Sequence, residues 1–472
     1  MPALAELNRL LAPAVTIANG TVQLHDAAAL QGPLMDALVR RAVFGAAAEK
    51  DVARWVIWEL GQAVGVRSAS IHDLYLARGK GLCGGFTVPA MNVRGRTYDT
   101  ARAIYRTALA MDAGAFIFEI ARSEIAYTEQ RPAEYVAVII AAALREGYRA
   151  PLFIQGDHFQ VNAKKYALDA AAEVGNVKLL ASEAVGAGFF NIDIDTSTLV
   201  DLSHDTLDAQ QRLNYEVGAD ITRYVRSLEP AGVTISLGGE IGEVGTSNST
   251  VAELRAFMNG YNRTLSREAP GMAGLSKISV QSGTSHGGVV LADGSIADVT
   301  LDINTLAELG KVARAEYGLS GAVQHGASTL PDSAFHRFPR AETAEIHLAT
   351  GFQNMLYDHL PASLKAEMYA WLRSNAADER KPTDSDEQFF YKTRKKALGP
   401  FKAQLWELPA DAAATLDTAY DEKFRFLFTQ LAVGGTAAAV ARYVRMAPMH
   451  RTAPAVGGAG VAVAPDDADA GE

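Results

Sequence analysis

PLFIQGDHFQ (residues 151–160) runs from an apolar stretch into an aspartate–histidine pair, and AKKYALDAAAEVG (163–175) follows at helical spacing. A short, nearly continuous apolar run fits a parallel strand covered on both faces, because alternation disappears when neither face meets water. Asp157 and His158 then stand where the strand gives way to a loop. The same unit recurs on both sides. FTVPAMNV (86–93), AFIFEIA (115–121), FFNIDID (189–195), TISLGGEI (234–241), KISVQSG (277–283), GAVQHGA (321–327) and AEIHLAT (344–350) each precede a helical stretch. Eight strand–helix units over this length predict an α/β fold of the (β/α)8 barrel type, with its site at the C-terminal ends of the strands. A doubly wound open sheet is the alternative, but it gathers its site at one switch point. Here the candidate residues come from strands three, five, six, seven and eight.

The barrel is expected at 81–360, within a chain of 472 residues. Residues 1–80 read as an N-terminal helical extension, with DVARWVIWELGQAV placing its large apolar residues at helical spacing. Residues 361–450 read as C-terminal helices, and 451–472, rich in Ala, Gly, Val and Asp, as a disordered tail. A net charge of −10 argues against nucleic-acid binding, which needs a basic surface. The longest apolar run, YVAVIIAAAL (135–144), is too short to span a bilayer. The lone Cys83 and the absence of a basic-then-apolar leader point to the cytoplasm, with no membrane partner.

Ten histidines are present, and three share one placement: His158, His286 and His325 each end an apolar run. Glycine follows two of them, allowing backbone amides to approach a ligand closely. Neutral imidazole suits Zn²⁺, and three protein ligands with an open position is the form of a catalytic zinc site. The identity of the ligands leaves Co²⁺ and Fe²⁺ open. Asp157, beside His158, is placed to handle a proton.

These segments together resemble the class II, zinc-dependent fructose-bisphosphate aldolase family. VPAMNV (88–93), GDHF (156–159), GGEIGEVG (238–245), GTSHGG (283–288), QHGAST (324–329) and EIHLAT (345–350) match its motifs in order. The resemblance implies that His158, His286 and His325 hold zinc and that Asp157 is the general acid/base. It implies that Glu240 lies near the metal, at a second divalent or monovalent cation position or as an aid to proton transfer, although Glu243 could take that role. Asn92, Gly287, Gly326, Ser328 and Thr350 would bind a phosphorylated ketose or triose, and the protein would be a homodimer or homotetramer.

Several positions depart from the family pattern. Gln155 replaces the leading histidine before Asp157, Glu345 replaces a lysine, and His347 replaces a substrate-binding asparagine. Arg94, Arg122 and Lys277 are the cations proposed to meet an anionic end group in their place, with Arg394 and Lys395 as reaches to a neighbouring subunit. The leading expectation is reversible cleavage of a ketose (bis)phosphate such as fructose 1,6-bisphosphate. A non-catalytic aldolase-like partner subunit, or another zinc-barrel lyase, epimerase or hydrolase, is the alternative.

Overall fold

The computed structural model describes residues 2–242, 247–283, 291, 301–454 and 463–467. Eight parallel strands close on one another: β1 (Val88–Asn92), β2 (Ile117–Ala121), β3 (Pro151–Gln160), β4 (Asn191–Asp195), β5 (Ser236–Glu240), β6 (Lys277–Ser279), β7 (Ala322–Gln324) and β8 (Glu345–Leu348). Closure is explicit in the register, where His347 of β8 lies beside Ala90 of β1. All eight fall inside the apolar runs of the sequence, and helices lie between them, so the fold is a (β/α)8 barrel. β6 and β7 are shorter than their apolar runs.

The N-terminal extension is not wholly helical. A hairpin pairs Val15–Ala18 with Thr21–Leu24, and a three-residue strand, Arg67–Ala69, runs parallel to Pro151–Phe153 of β3. The second has a geometric cause. β3 begins four residues before the position at which it meets β4, where Gln155 faces Asn191. The lower end of β3 would otherwise expose unpaired backbone, and Arg67–Ala69 covers it. Asn191 secures this join through its side chain, which receives the amide of Ile71 at 2.9 Å and donates to Ala69 O and Ile154 O. A three-residue strand carries no periodicity to find.

YVAVIIAAAL lies in the helix Pro132–Glu146, and every residue from Glu134 to Leu144 is buried. A helix apolar on all sides must be covered on all sides. One face lies against the barrel, and the extension helices Pro33–Phe44 and Ala47–Val64 pack against the others. Full burial of a side chain such as Ile139 or Ile140 contributes about 1.5–3 kcal/mol. The C-terminal helix Ala410–Gln430 packs similarly on Thr97–Met111. Beyond it, Val463–Asp467 lies against the body, with Asp467 paired to Arg122 at 2.9 Å and Asp466 to Arg131 at 2.7 Å. Among the described residues no helix is long and apolar enough to cross a membrane.

His72, at the start of the helix His72–Gly79, is buried. Burial and the positive charge of Arg226 push its imidazole down from 6.5 to about 4. The unfolded chain therefore binds a proton below pH 6.5 that the folded chain refuses until about pH 4. Stability should fall by about 3 kcal/mol as the pH drops across that window. His72→Gln should flatten this part of the acid limb in urea titrations run between the two pH values.

Candidate metal centre

β3 carries the decisive irregularity. Its pairing with β4 shifts register between Gly156 and Phe159, and His158 has φ of 40°, in the left-handed region. Successive residues of a regular strand face opposite sides. The bulge breaks that rule, so Asp157 and His158 are both buried and both reach His325. Gly156 permits it: a Cβ there would lie 2.5 Å from the Phe159 ring, which folds back over the bulge. A non-glycine residue with positive φ costs free energy and marks a site held in place by its surroundings.

Asp157, His158 and His325 offer ligand atoms within 4.8 Å of one another, all buried. The His158 and His325 rings lie 4.3 Å apart between centroids. His158 Nδ1 meets Asp195 at 3.0 Å, and Asp195 is held in turn by Gln160 at 2.6 Å and the Ser197 hydroxyl at 2.7 Å. A carboxylate on one imidazole nitrogen fixes the ring and raises the basicity of the other, which is the arrangement that metal-ligating histidines use. Ser279 Oγ lies 2.9 Å from His325 Nε2 and orients that ring. The donor set therefore fits a divalent cation. His286, Gly287 and Glu243 lie outside the described residues.

Glu240, the last residue of β5, lies 3.7 Å from His158 Nδ1 and forms a group with His158 and Asp195. Burial and the neighbouring Asp195 raise its carboxyl well above the ordinary range. Burial would also lift Asp195, but hydrogen bonds from His158, Ser197 and Gln160 hold it below. Against burial, which lowers it, Asp157, Asp195 and Glu240 raise His158 well above 6.5.

Asn92 ends β1 and is buried, donating to Glu124 and accepting from Arg94 at 3.1 Å. Gly326 has φ of 67° and turns the chain out of β7 into Ala327–Thr329. Thr350 opens the helix after β8, and Gly351 next to it packs so closely that a Cβ would lie 2.9 Å from Ser328 O. The Gly326–Ser328 and Thr350 loops are thus neighbours.

Four of the proposed cations have partners within the chain, and for the fully buried Lys277 this corrects its reading as a partner of an anionic end group. Lys277 is fully buried, its ammonium bound to Glu345 at 2.5 Å, Gln155 at 2.8 Å and Asp193 at 2.9 Å. Arg122 is bound to Glu173 and Asp467, and Arg394 to Asn354 of its own chain. Arg94 is also bound, to Glu124 at 3.1 Å.

The interior holds acidic residues that the sequence reading passed over. Glu119, Asp193 and Asp195 join Asp157, Glu240 and Glu345 within the barrel. Burial and the Asp157 charge push Glu119 up to about 8. Burial holds Asp193 above its ordinary value despite Lys277. The signal was present in IFEIA and NIDID, which carry one and two carboxylates inside apolar runs. His347, noted as a departure, is central: its ring lies 4.0 Å from that of His325.

A closed (β/α)8 barrel with imidazoles and carboxylates converging at its strand ends defines a metal-type barrel enzyme scaffold. The family model for class-II fructose-bisphosphate aldolases matches residues 80–404, and the chain belongs to that family. Members are typically metal-dependent, and this chain carries candidate metal-binding groups. No curated protein matches the chain. Among solved structures, a probable tagatose 6 phosphate kinase from Sinorhizobium meliloti is 15% identical, with a TM-score of 0.51 over 76% of this chain and 99% of that one. A fructose-bisphosphate aldolase from Campylobacter jejuni is 16% identical (TM-score 0.46; 79% and 98% covered). The fructuronate-tagaturonate epimerase UxaE from Cohnella laeviribosi is 13% identical (TM-score 0.47; 74% and 82% covered).

Gly238 lies between Asp193 and Lys277 in the register, and a Cβ there would come 2.3 Å from Asp193 Oδ1 and 2.8 Å from Lys277 Cε. Gly238→Ala should separate this buried pair and cost about 3–5 kcal/mol, measured by chemical denaturation. A loss under ~1 kcal/mol would show that the interior can rearrange around the pair.

Proposed function

We propose that this chain is a metal-dependent aldolase acting on a ketose (bis)phosphate. Fructose 1,6-bisphosphate is the default substrate, giving dihydroxyacetone phosphate and glyceraldehyde 3-phosphate. The observation that carries the reading is the buried Asp157–His158–His325 group, with Asp195 fixing His158, at the strand ends of a class II aldolase family barrel. In this reading His158, His325 and His286 hold Zn²⁺. The bound ion would supply Lewis acidity for the negative charge left on the three-carbon ketose fragment.

The protein's own groups do the rest. Asp157 accepts the C4 hydroxyl proton as the C3–C4 bond breaks and returns it in the synthetic direction. Glu240, whose carboxyl is raised by burial and by Asp195, stands on the other side of His158 as a second proton carrier. Asn92, through its amide, and Gly326, Gly287, Ser328 and Thr350, through backbone amides and hydroxyls, bind the ketose phosphate. The same reading makes the protein a cytoplasmic homodimer or homotetramer.

A second reading, an epimerase or other lyase on the same site, draws on one feature. Carboxylates crowd both ends of the site, Asp157 and Glu119 at His347, and Asp195 and Glu240 at His158. Two proton carriers suit inversion at a carbon as well as cleavage.

A coupled assay for triose phosphate release from fructose 1,6-bisphosphate decides between them. Activity that chelator abolishes and zinc restores is the expected result. Zinc-loaded protein that releases no triose phosphate from any ketose phosphate would sink the aldolase reading. Asp157→Asn should keep its metal and lower kcat about 10²–10⁴-fold. His325→Ala should lose the metal itself, read by elemental analysis.

A further inference from the structure

Two positive charges meet at the rim of the barrel. Arg122 follows Ala121, the last residue of β2, which lies beside Asp157 in the register, and its side chain is buried. Lys165 stands on the short helix Ala163–Leu168 that follows β3. Glu173, on the helix Ala170–Ala187, answers one of the two charges, meeting Arg122 at 2.7 Å and accepting the Asn162 amide at 2.9 Å. The tail answers the other. Asp467 reaches Arg122 at 2.9 Å and Lys165 at 2.8 Å through a single oxygen, Oδ2, and is buried between them.

The two carboxylates are held very differently. Glu173 belongs to a helix packed into the body, whereas of Val463–Asp467 only Ala464 and Asp467 are buried. Val463 is 59% exposed, and Asp466 meets Arg131 from an exposed side chain. Alanine offers little apolar surface to anchor a segment, and an exposed ion pair adds little more. The seat of the tail therefore depends on Asp467, a tethered ligand that holds its place by high effective concentration. Arg122 also closes the end of β3, donating to Gln160 O at 2.6 Å, and the Gln160 amide holds Asp195, which fixes His158. The cation that seats the tail is thus connected to the candidate metal centre.

We propose that Arg122 and Lys165 form an oxyanion site, that Asp467 fills it in the resting chain, and that a phosphate monoester displaces the tail from it. Phosphate is the competitor that the geometry favours. It carries about −1.5 to −2 charge at pH 7 and three terminal oxygens. Guanidinium and ammonium can then each take an oxygen of their own, where Asp467 serves both with one. A free monocarboxylate offers nothing that the tethered one lacks. Neither a metal ion nor the aldol step is required for this exchange.

Two measurements on the full-length chain test the exchange. Inorganic phosphate is titrated by calorimetry into native protein, into Asp467→Asn, and into Asp467→Asn combined with Lys165→Met. Lys165 is half exposed and Asp467 lies on the tail, so neither change disturbs the barrel. Asp467→Asn should bind phosphate about tenfold more tightly than native protein, and Lys165→Met should remove that gain. Equal affinity in native protein and Asp467→Asn, or a gain that survives Lys165→Met, would overturn the site. Release of the tail is read from a nitroxide at Val463→Cys in a Cys83→Ser background. Phosphate should sharpen its paramagnetic resonance spectrum, and sodium chloride at equal ionic strength should not. Equal sharpening by both salts would reduce the contact to a screened ion pair and sink the exchange. Both readouts are independent of triose phosphate release, so this site and the proposed reaction stand or fall separately.

Discussion

The Lys277 ammonium is the charge on which the barrel interior depends. It is buried completely, and it binds carboxylates from β4 and β8 while resting on the amide of Gln155 from β3. Removing such a cation from water is costly, and only partners of this quality offset the cost. The arrangement then dictates its neighbours. Gly238 has to be glycine because Asp193 and Lys277 meet across it. Tyr75, from the N-terminal extension, reaches into the interior to bind Glu345, so the extension takes part in setting the charge of the site. His347 completes Glu345 from the other side.

The fold was legible because covered parallel strands write themselves as apolar runs, and all eight runs contain a strand. Asp157, His158 and His325 were legible because they interrupt those runs at their ends, and the structure gathers them into one group. The register shift that brings Asp157 and His158 inward together was not, since GDHF contains nothing that specifies a positive φ at histidine. Lys277 was misread for a related reason. A lysine at the start of a strand reads as a solvent-facing or ligand-facing cation, and only the facing Asp193 and Glu345, distant in sequence, make it an interior one. Glu119 and Asp193 were passed over because attention went to strand ends and both lie within their strands, while Asp195, which does end its strand, has no histidine beside it to mark it.

The two ends of the barrel thus carry opposite kinds of irregularity. At the strand ends, a bulge and a left-handed histidine spend backbone regularity to aim donors at one point. At the lower end, Arg67–Ala69 adds regularity by completing the ladder that β4 starts too late to provide. Asn191 secures this lower join, since it begins β4 and its side chain binds both β3 and the added strand.

That join bears on what counts as a module in this chain. The helix from Pro132 to Glu146 is apolar around its whole circumference, and part of its cover comes from before residue 80. A fragment cut at the sequence boundary between extension and barrel would uncover one face of the Tyr135–Leu144 stretch and leave the edge of Pro151–Phe153 open. Such a surface invites self-association. The first 80 residues are therefore inseparable from the barrel's solubility, and neither an insertion nor a fusion partner belongs between the extension and β1.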